Sequence, residues 1–159
     1  MKANPYWIRS GIGIRLAIVQ RPRWGMLEDD IAALKEGGIE NLVSLLTPSE
    51  AVGLGLEKEE EVCELNSVGF FSLPVTDGGV PSNTDDFTRA VAVLRSILIN
   101  GGSVGIHCRA GIGRSCVLAA CLMQTTGMDG TSALSAIEKA RGCEVPETPE
   151  QRSWILQFS

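Results

Sequence analysis

Short apolar runs alternate with amphipathic segments along almost the whole chain, and no other feature limits its fold as much. Leu16 to Gln20 reads as a strand. Leu27, Ile31 and Leu34 then recur at helical spacing, and Gly37–Gly38 ends that helix. Leu42 to Leu46 predicts a buried strand. Glu57 to Val68 predicts a helix whose acidic run, Glu57 to Glu61, faces solvent; Gly69 stops it. Phe70 to Leu73 reads as a short strand broken by Pro74. Ser82 reads as an N-cap with Asp85 three residues on, and Phe87, Ala90, Val91, Leu94 and Leu98 draw one helical face after it. Gly101–Gly102 ends that helix, and Ser103 to Ile106 is a further strand. A glycine-rich turn leads into a helix through Met123 that stops at Gly127, and helices over Thr131–Arg141 and Pro149–Phe158 close the chain. Strand alternating with helix gives an α/β class with helices packed on a sheet. Ligands in such sheets sit at the carboxyl ends of strands, which directs attention to His107–Ser115.

The bulk properties narrow the function. A length of 159 residues fits one domain, taken here as 1–159. The formal net charge is −5 and no dense Lys/Arg block occurs, so neither nucleic acid nor a membrane is expected as a partner. No apolar run approaches a membrane span, and Pro5, Arg9 and Arg15 interrupt any signal-like N-terminus. The five cysteines are an odd number without CxxC spacing, which suits reduced thiols in a cytoplasm better than zinc or a disulfide framework. His107 is the one histidine, so a multi-histidine metal site is excluded, and neither metal nor other cofactor is expected.

The junction reads His107-Cys108-Arg109-Ala110-Gly111-Ile112-Gly113-Arg114-Ser115. A strand ends, a tight loop turns and a helix begins. Successive main-chain N–H groups in such a loop form an anion nest, and the helix N-terminus adds further donors and partial positive charge. Gly111 and Gly113 permit backbone angles that a Cβ resists. Arg109, Ala110, Gly111, Ile112 and Gly113 thus line a phosphate cradle, and the planar fork of Arg114 grips two phosphate oxygens. The field that attracts phosphate also favours thiolate over thiol at Cys108, a nucleophile that needs no general base. Ser115 is placed to donate to that sulfur when it leaves.

The leaving oxygen needs a proton, and Asp77 is the candidate. It lies in Pro74-Val75-Thr76-Asp77-Gly78-Gly79-Val80-Pro81, 31 positions before the cysteine (108 − 77). It would protonate the leaving group and then act as base on the hydrolytic water, which predicts a bell-shaped pH–rate curve with an acid-side optimum.

At these residues the chain resembles the cysteine-dependent phosphatases, with the Cys-x5-Arg-Ser/Thr string and preceding His of the protein tyrosine and dual-specificity families. The Asp77-Gly-Gly-Val-Pro segment is similar to the general-acid loop of the compact dual-specificity branch, and Ile106 to Met123 is similar to the kinase-associated and small bacterial phosphatases of that type. The resemblance covers nearly the whole chain, from Leu16 to Phe158. It implies a central twisted mixed sheet flanked by helices, a phosphocysteine intermediate, no metal, and a phosphorylated protein or peptide as substrate. It also implies that His107 helps to hold the loop; a bond to backbone is expected for it.

The chain departs from the tyrosine-specific branch in several places. Val75-Thr76 stand where that branch has a tryptophan, and its tyrosine-bearing recognition loop has no clear counterpart, so a shallower cleft is implied. Glu147 falls where a water-placing glutamine is expected. Gln151 fits that supporting role or, more simply, the capping box Thr148-Pro149-Glu150-Gln151. Arg23 and Trp24, in Arg21-Pro22-Arg23-Trp24, are either a solvated loop or a substrate rim. Cys63, Cys116 and Cys121 read as buried thiols, with a disulfide to oxidised Cys108 as the alternative. Other readings stay open: a phosphate-binding module without turnover, a sulfur- or arsenate-handling enzyme, or the same mechanism on a phosphoinositide, inositol phosphate, glucan or capped RNA.

Overall fold

The computed structural model describes residues 4–158. In chain order the elements are β1 (Tyr6–Trp7), β2 (Arg15–Ile18), α1 (Leu27–Glu36), β3 (Asn41–Ser44), α2 (Pro48–Gly53), α3 (Glu59–Leu65), β4 (Gly69–Ser72), α4 (Thr84–Ile99), β5 (Ser103–His107), α5 (Arg114–Thr125), α6 (Gly130–Arg141) and α7 (Pro149–Gln157). The strands form one sheet in the order β1-β2-β5-β3-β4. β1 runs antiparallel to β2, and every other pair is parallel, so the sheet is mixed as expected.

β5 is the centre of the sheet, with Ile106 opposite Ile18 on one side and Val43 on the other. All five of its residues are buried, as a strand with neighbours on both edges and helices on both faces requires. The period-two alternation of a strand sorts its side chains into two cores. Leu16 and Ile18 face a core made with α4 to α7, through Leu94, Leu118, Leu122, Ile137 and Ile155. Ala17 and Val19 face the other, made with α1 and α3 through Ile31, Leu34, Val62 and Cys63. α5 is buried from Arg114 to Met123 without interruption, which explains its apolar composition all round.

The structure departs from expectation in local ways. Asn83, not Ser82, caps α4: its side chain accepts from the Asp86 N–H at 3.1 Å. The Ser82/Asp85 and Asn83/Asp86 pairs have the same spacing, and the geometry selects the second. α6 starts on an Asp129 cap. β1 is two residues long and is held by pairing to β2, too little for a sequence pattern to announce. α2 has no counterpart among the expected helices, although Thr47-Pro48-Ser49-Glu50 repeats the capping signal at Thr148; both boxes form in full.

Candidate active site

The site is built where β5 stops. His107 is its last residue, Cys108 follows, and α5 begins at Arg114. The loop between closes tightly enough for the Gly111 N–H to donate to Cys108 Sγ at 3.3 Å. Gly111 has φ +72°, the left-handed conformation that a residue with a Cβ resists. Gly113 is needed for a different reason: a Cβ there would lie 2.8 Å from a Glu147 carboxylate oxygen and 3.1 Å from the Gln151 amide. Cys108 is only 3 % exposed, at the start of the loop that leads into α5.

Arg114 returns over the loop and is almost completely buried. Its Nη1 donates to Glu50 Oε1 and to the Val75 carbonyl, both at 2.7 Å, and more weakly to the Leu45 carbonyl at 3.4 Å. Its Nη2 donates to Glu50 Oε2 at 2.9 Å and to Asp77 Oδ1 at 3.2 Å. Glu50 thus holds the guanidinium in a bidentate grip. Its hydrogen bonds from Arg114, against the opposing effect of burial, draw the carboxyl down to about 2. Burial works against the charge on Arg114, but the Glu50 bond and the nearby Cys108, Glu50 and Asp77 hold it above its ordinary value. Glu50 was not among the expected site residues; the Thr47 capping box that places it on α2 was the available signal.

Asp77 sits on the loop after β4, 57 % exposed, with Gly78 at φ +73° completing the turn. The base of this loop is tied to the residue after β3 by the Val75 N–H donating to the Leu45 carbonyl at 3.0 Å. Its far side is tied to α7 by Gln151 Nε2 donating to the Gly79 carbonyl at 3.0 Å. Gln151 therefore serves both its own helix cap and the position of the Asp77 loop.

His107 does point away from the cradle, but its partner is a carboxylate rather than the backbone: Nε2 lies 2.6 Å from Glu59 Oε2. That corrects the reading of Glu57 to Glu61 as a solvated face, since Glu59 is 3 % exposed. The physical reason is that α3 leans on the sheet, and only a partnered carboxylate tolerates that burial. Ser115 Oγ is buried and has no hydrogen-bond partner among the described residues, Cys108 Sγ included. Arg109 is half exposed at the rim, with Nη1 3.5 Å from Glu50 Oε2. Ala110 is exposed and Ile112 partly buried on the same loop.

The remaining candidates separate. Arg23 is not a free rim residue: its backbone and guanidinium both bind Asp30, at 2.8, 3.1 and 2.8 Å. Trp24 is exposed, with its ring against Gly55 beyond α2. Cys63, Cys116 and Cys121 are buried free thiols. Burial pushes all three up, Cys63 to about 12 with help from Glu59 and Glu60, so none is readied as a thiolate for disulfide exchange. Cys116 is the one near the loop, its Sγ 3.8 Å from the Gly111 carbonyl.

The dual specificity phosphatase catalytic domain matches residues 51–159. The chain belongs to that family. Among curated relatives it is 25% identical to cyclin-dependent kinase inhibitor 3 of Rattus norvegicus over 134 residues, 83% of this chain and 63% of the relative. The chain thus spans somewhat under two thirds of that relative's length. Among solved structures it is similar to kinase associated phosphatase carrying serine for its catalytic-site cysteine, with a TM-score of 0.89, 21% identity and coverage of 99% and 94% of the two chains. It is also similar to Tk-PTP in the active form, with a TM-score of 0.75, 23% identity and 92% of each chain covered. These two likenesses bear on the fold. The family match begins just after Glu50, yet β2 and β3, which precede it, flank β5 in the sheet.

Proposed function

We propose that this chain is a cysteine-dependent protein phosphatase, acting as one catalytic unit on phosphotyrosine, phosphoserine or phosphothreonine. The Cys108 thiolate attacks phosphorus while Asp77 gives a proton to the departing side-chain oxygen, leaving a phosphocysteine. Water then attacks the phosphorus, Asp77 takes its proton, and inorganic phosphate leaves as the sulfur departs with help from the Ser115 hydroxyl. Arg114 and the inward amides of residues 109–114 hold the equatorial oxygens throughout, so catalysis is largely positioning and electrostatics.

One observation carries this reading. Cys108 Sγ receives the Gly111 N–H at the floor of the cradle, while the Arg114 guanidinium above it is in contact with Asp77. An entering phosphate takes the Nη2 donor from Asp77, which frees the carboxyl for the leaving oxygen. Family membership supports the chemistry, and the kinase-associated relatives support a phosphoprotein substrate. A groove of about 440 Å³ beside Ile112, lined by Glu144, Val145, Pro146, Glu147 and Arg152, offers room for flanking polypeptide. Its two carboxylates oppose a polyanionic inositol headgroup.

The experiment is turnover of an aryl phosphate and of phosphopeptides by wild type, Cys108→Ser and Asp77→Asn. Wild type turns over and Cys108→Ser does not. Asp77→Asn loses roughly a hundredfold or more in kcat with substrate binding retained. Equal inactivity of wild type and Cys108→Ser would leave a phosphate-binding module, and faster turnover of a phosphoinositide would move the substrate class to lipid.

A further inference from the structure

Arg141 is the last residue of α6 and lies outside the cradle, behind it. Its Nε donates to the Gly111 carbonyl at 2.8 Å and its Nη2 to the Ala110 carbonyl at 3.3 Å. No carboxylate forms an ion pair with it among the described residues, so two neutral carbonyls receive a full positive charge.

Those carbonyls belong to the working part of the loop. The Ala110 carbonyl and the Gly111 N–H share one planar trans peptide, so they point in opposite directions. The Gly111 N–H is the donor to Cys108 Sγ at 3.3 Å. This one peptide unit is therefore pinned at both ends, by a guanidinium outside and by the nucleophile inside. The Gly111 carbonyl and the Ile112 N–H share the next unit, and the same argument turns the Ile112 N–H away from Arg141 and toward the cradle. Binding a cation at the carbonyl end also polarises each amide and strengthens its donor end. A Cβ on Gly111 would meet Arg141 Nε only at an ordinary 3.7 Å, so it is the positive φ of +72°, rather than the approach of Arg141, that calls for glycine there.

Arg141 is itself held in place. Its guanidinium carbon lies 4.3 Å from the centroid of the Tyr6 ring on β1, in cation–π geometry. Gly142, at φ +71°, ends α6 immediately after it, with its N–H donated to the Glu138 carbonyl.

We infer that Arg141, steadied by Tyr6, is a positioning residue that keeps the cradle's amides turned toward Cys108 and the bound oxyanion. It touches neither the sulfur nor the phosphate. The inference rests on the phosphatase reading for its effect on turnover, and on the cradle alone for its effect on anion binding.

The test compares wild type, Arg141→Met, Arg141→Lys, Arg141→Ala and Tyr6→Leu. Four quantities are read: kcat and KM on an aryl phosphate, inorganic phosphate affinity by calorimetry, and Tm. Arg141→Met is expected to lose roughly ten- to a hundredfold in kcat/KM and to bind phosphate correspondingly more weakly. Arg141→Lys, which keeps the charge and can reach one carbonyl, recovers part of both. Tyr6→Leu loses a few-fold, about the worth of one cation–π contact. Millimolar guanidinium added to Arg141→Ala restores part of the loss, which a purely structural role would not allow. A fall in Tm with kcat/KM and phosphate affinity unchanged overturns the inference. If wild type itself shows no turnover, weaker phosphate binding by Arg141→Met still sustains the positioning role while the phosphatase reading fails. Unchanged binding overturns the positioning role.

Discussion

The cradle at residues 107–115 and the side chains that brace it differ in how far along the chain their parts are gathered. The cradle is made by consecutive residues, so one turn of backbone brings Cys108, the inward amides and the start of α5 together. Its braces arrive separately: Glu50 from α2, Glu59 from α3, Arg141 from α6 and Gln151 from α7. In the proposed mechanism the cradle supplies the reacting groups, whereas the braces fix where those groups point. Glu50 aims the Arg114 guanidinium, Glu59 binds His107 next to Cys108 in the chain, Arg141 holds the loop carbonyls, and Gln151 ties the Asp77 loop to α7. The difference teaches that a loop motif defines a chemistry while the tertiary contacts behind it define its geometry.

Changes inside the cradle should therefore remove activity, and changes in the braces should grade it. The largest effect is expected for Arg114→Lys, with kcat/KM down on the order of a thousandfold in steady-state assays, because a point charge cannot grip Glu50 and a phosphate together. An activity within tenfold of wild type would erase the distinction between the two regions.

Glu50→Gln comes next, with kcat/KM reduced roughly tenfold as the guanidinium loses its charged partner. Its stability carries a pH signature. The folded carboxyl of wild type is depressed to about 2. Its contribution is therefore fully present above the ordinary carboxylate value and is lost as pH falls toward about 2. That contribution is on the order of 3 kcal/mol. Urea midpoints of Glu50→Gln should consequently converge on those of wild type as pH falls through this window. A constant gap at all pH values would remove the ion pair from the stability of the site.

The smallest effect is expected for Thr148→Ala, which deletes one half of the α7 capping box. Stability falls by about 1 kcal/mol in urea melts. The kcat changes by less than a few-fold, provided Gln151 keeps the Gly79 carbonyl. A hundredfold loss would move the Thr148–Gln151 cap from brace to working part.

Much of the fold was legible because each element carries its own local signal. The apolar segment from Leu16 to Gln20 marked a strand, and Phe87, Val91, Leu94 and Leu98 marked a helical face. The signals failed where an element is too short to have a period, as at β1, or where two caps compete, as at Ser82 and Asn83. In the candidate site, Cys108, Arg114 and Ser115 could be named from the sequence because their spacing is itself the motif, and Asp77 because its loop resembles the one that accompanies that motif; the fold brings Arg114 and Asp77 into contact. Glu50 and Arg141 were not, because a glutamate in a short helix and an arginine at a helix end look like ordinary solvated charges until the chain is folded.

The sequence alone determined that a glycine-bearing loop with one cysteine and one arginine joins a strand to a helix, since those relations lie within a few peptide bonds. Tertiary structure alone decided that Arg114 is aimed by Glu50, that His107 meets a buried Glu59, and that Arg141 closes on the loop from behind. Each of these is a contact between residues 30 or more positions apart. Such contacts depend on how helices pack on both faces of the sheet, and packing is a property of the whole chain that no local pattern encodes.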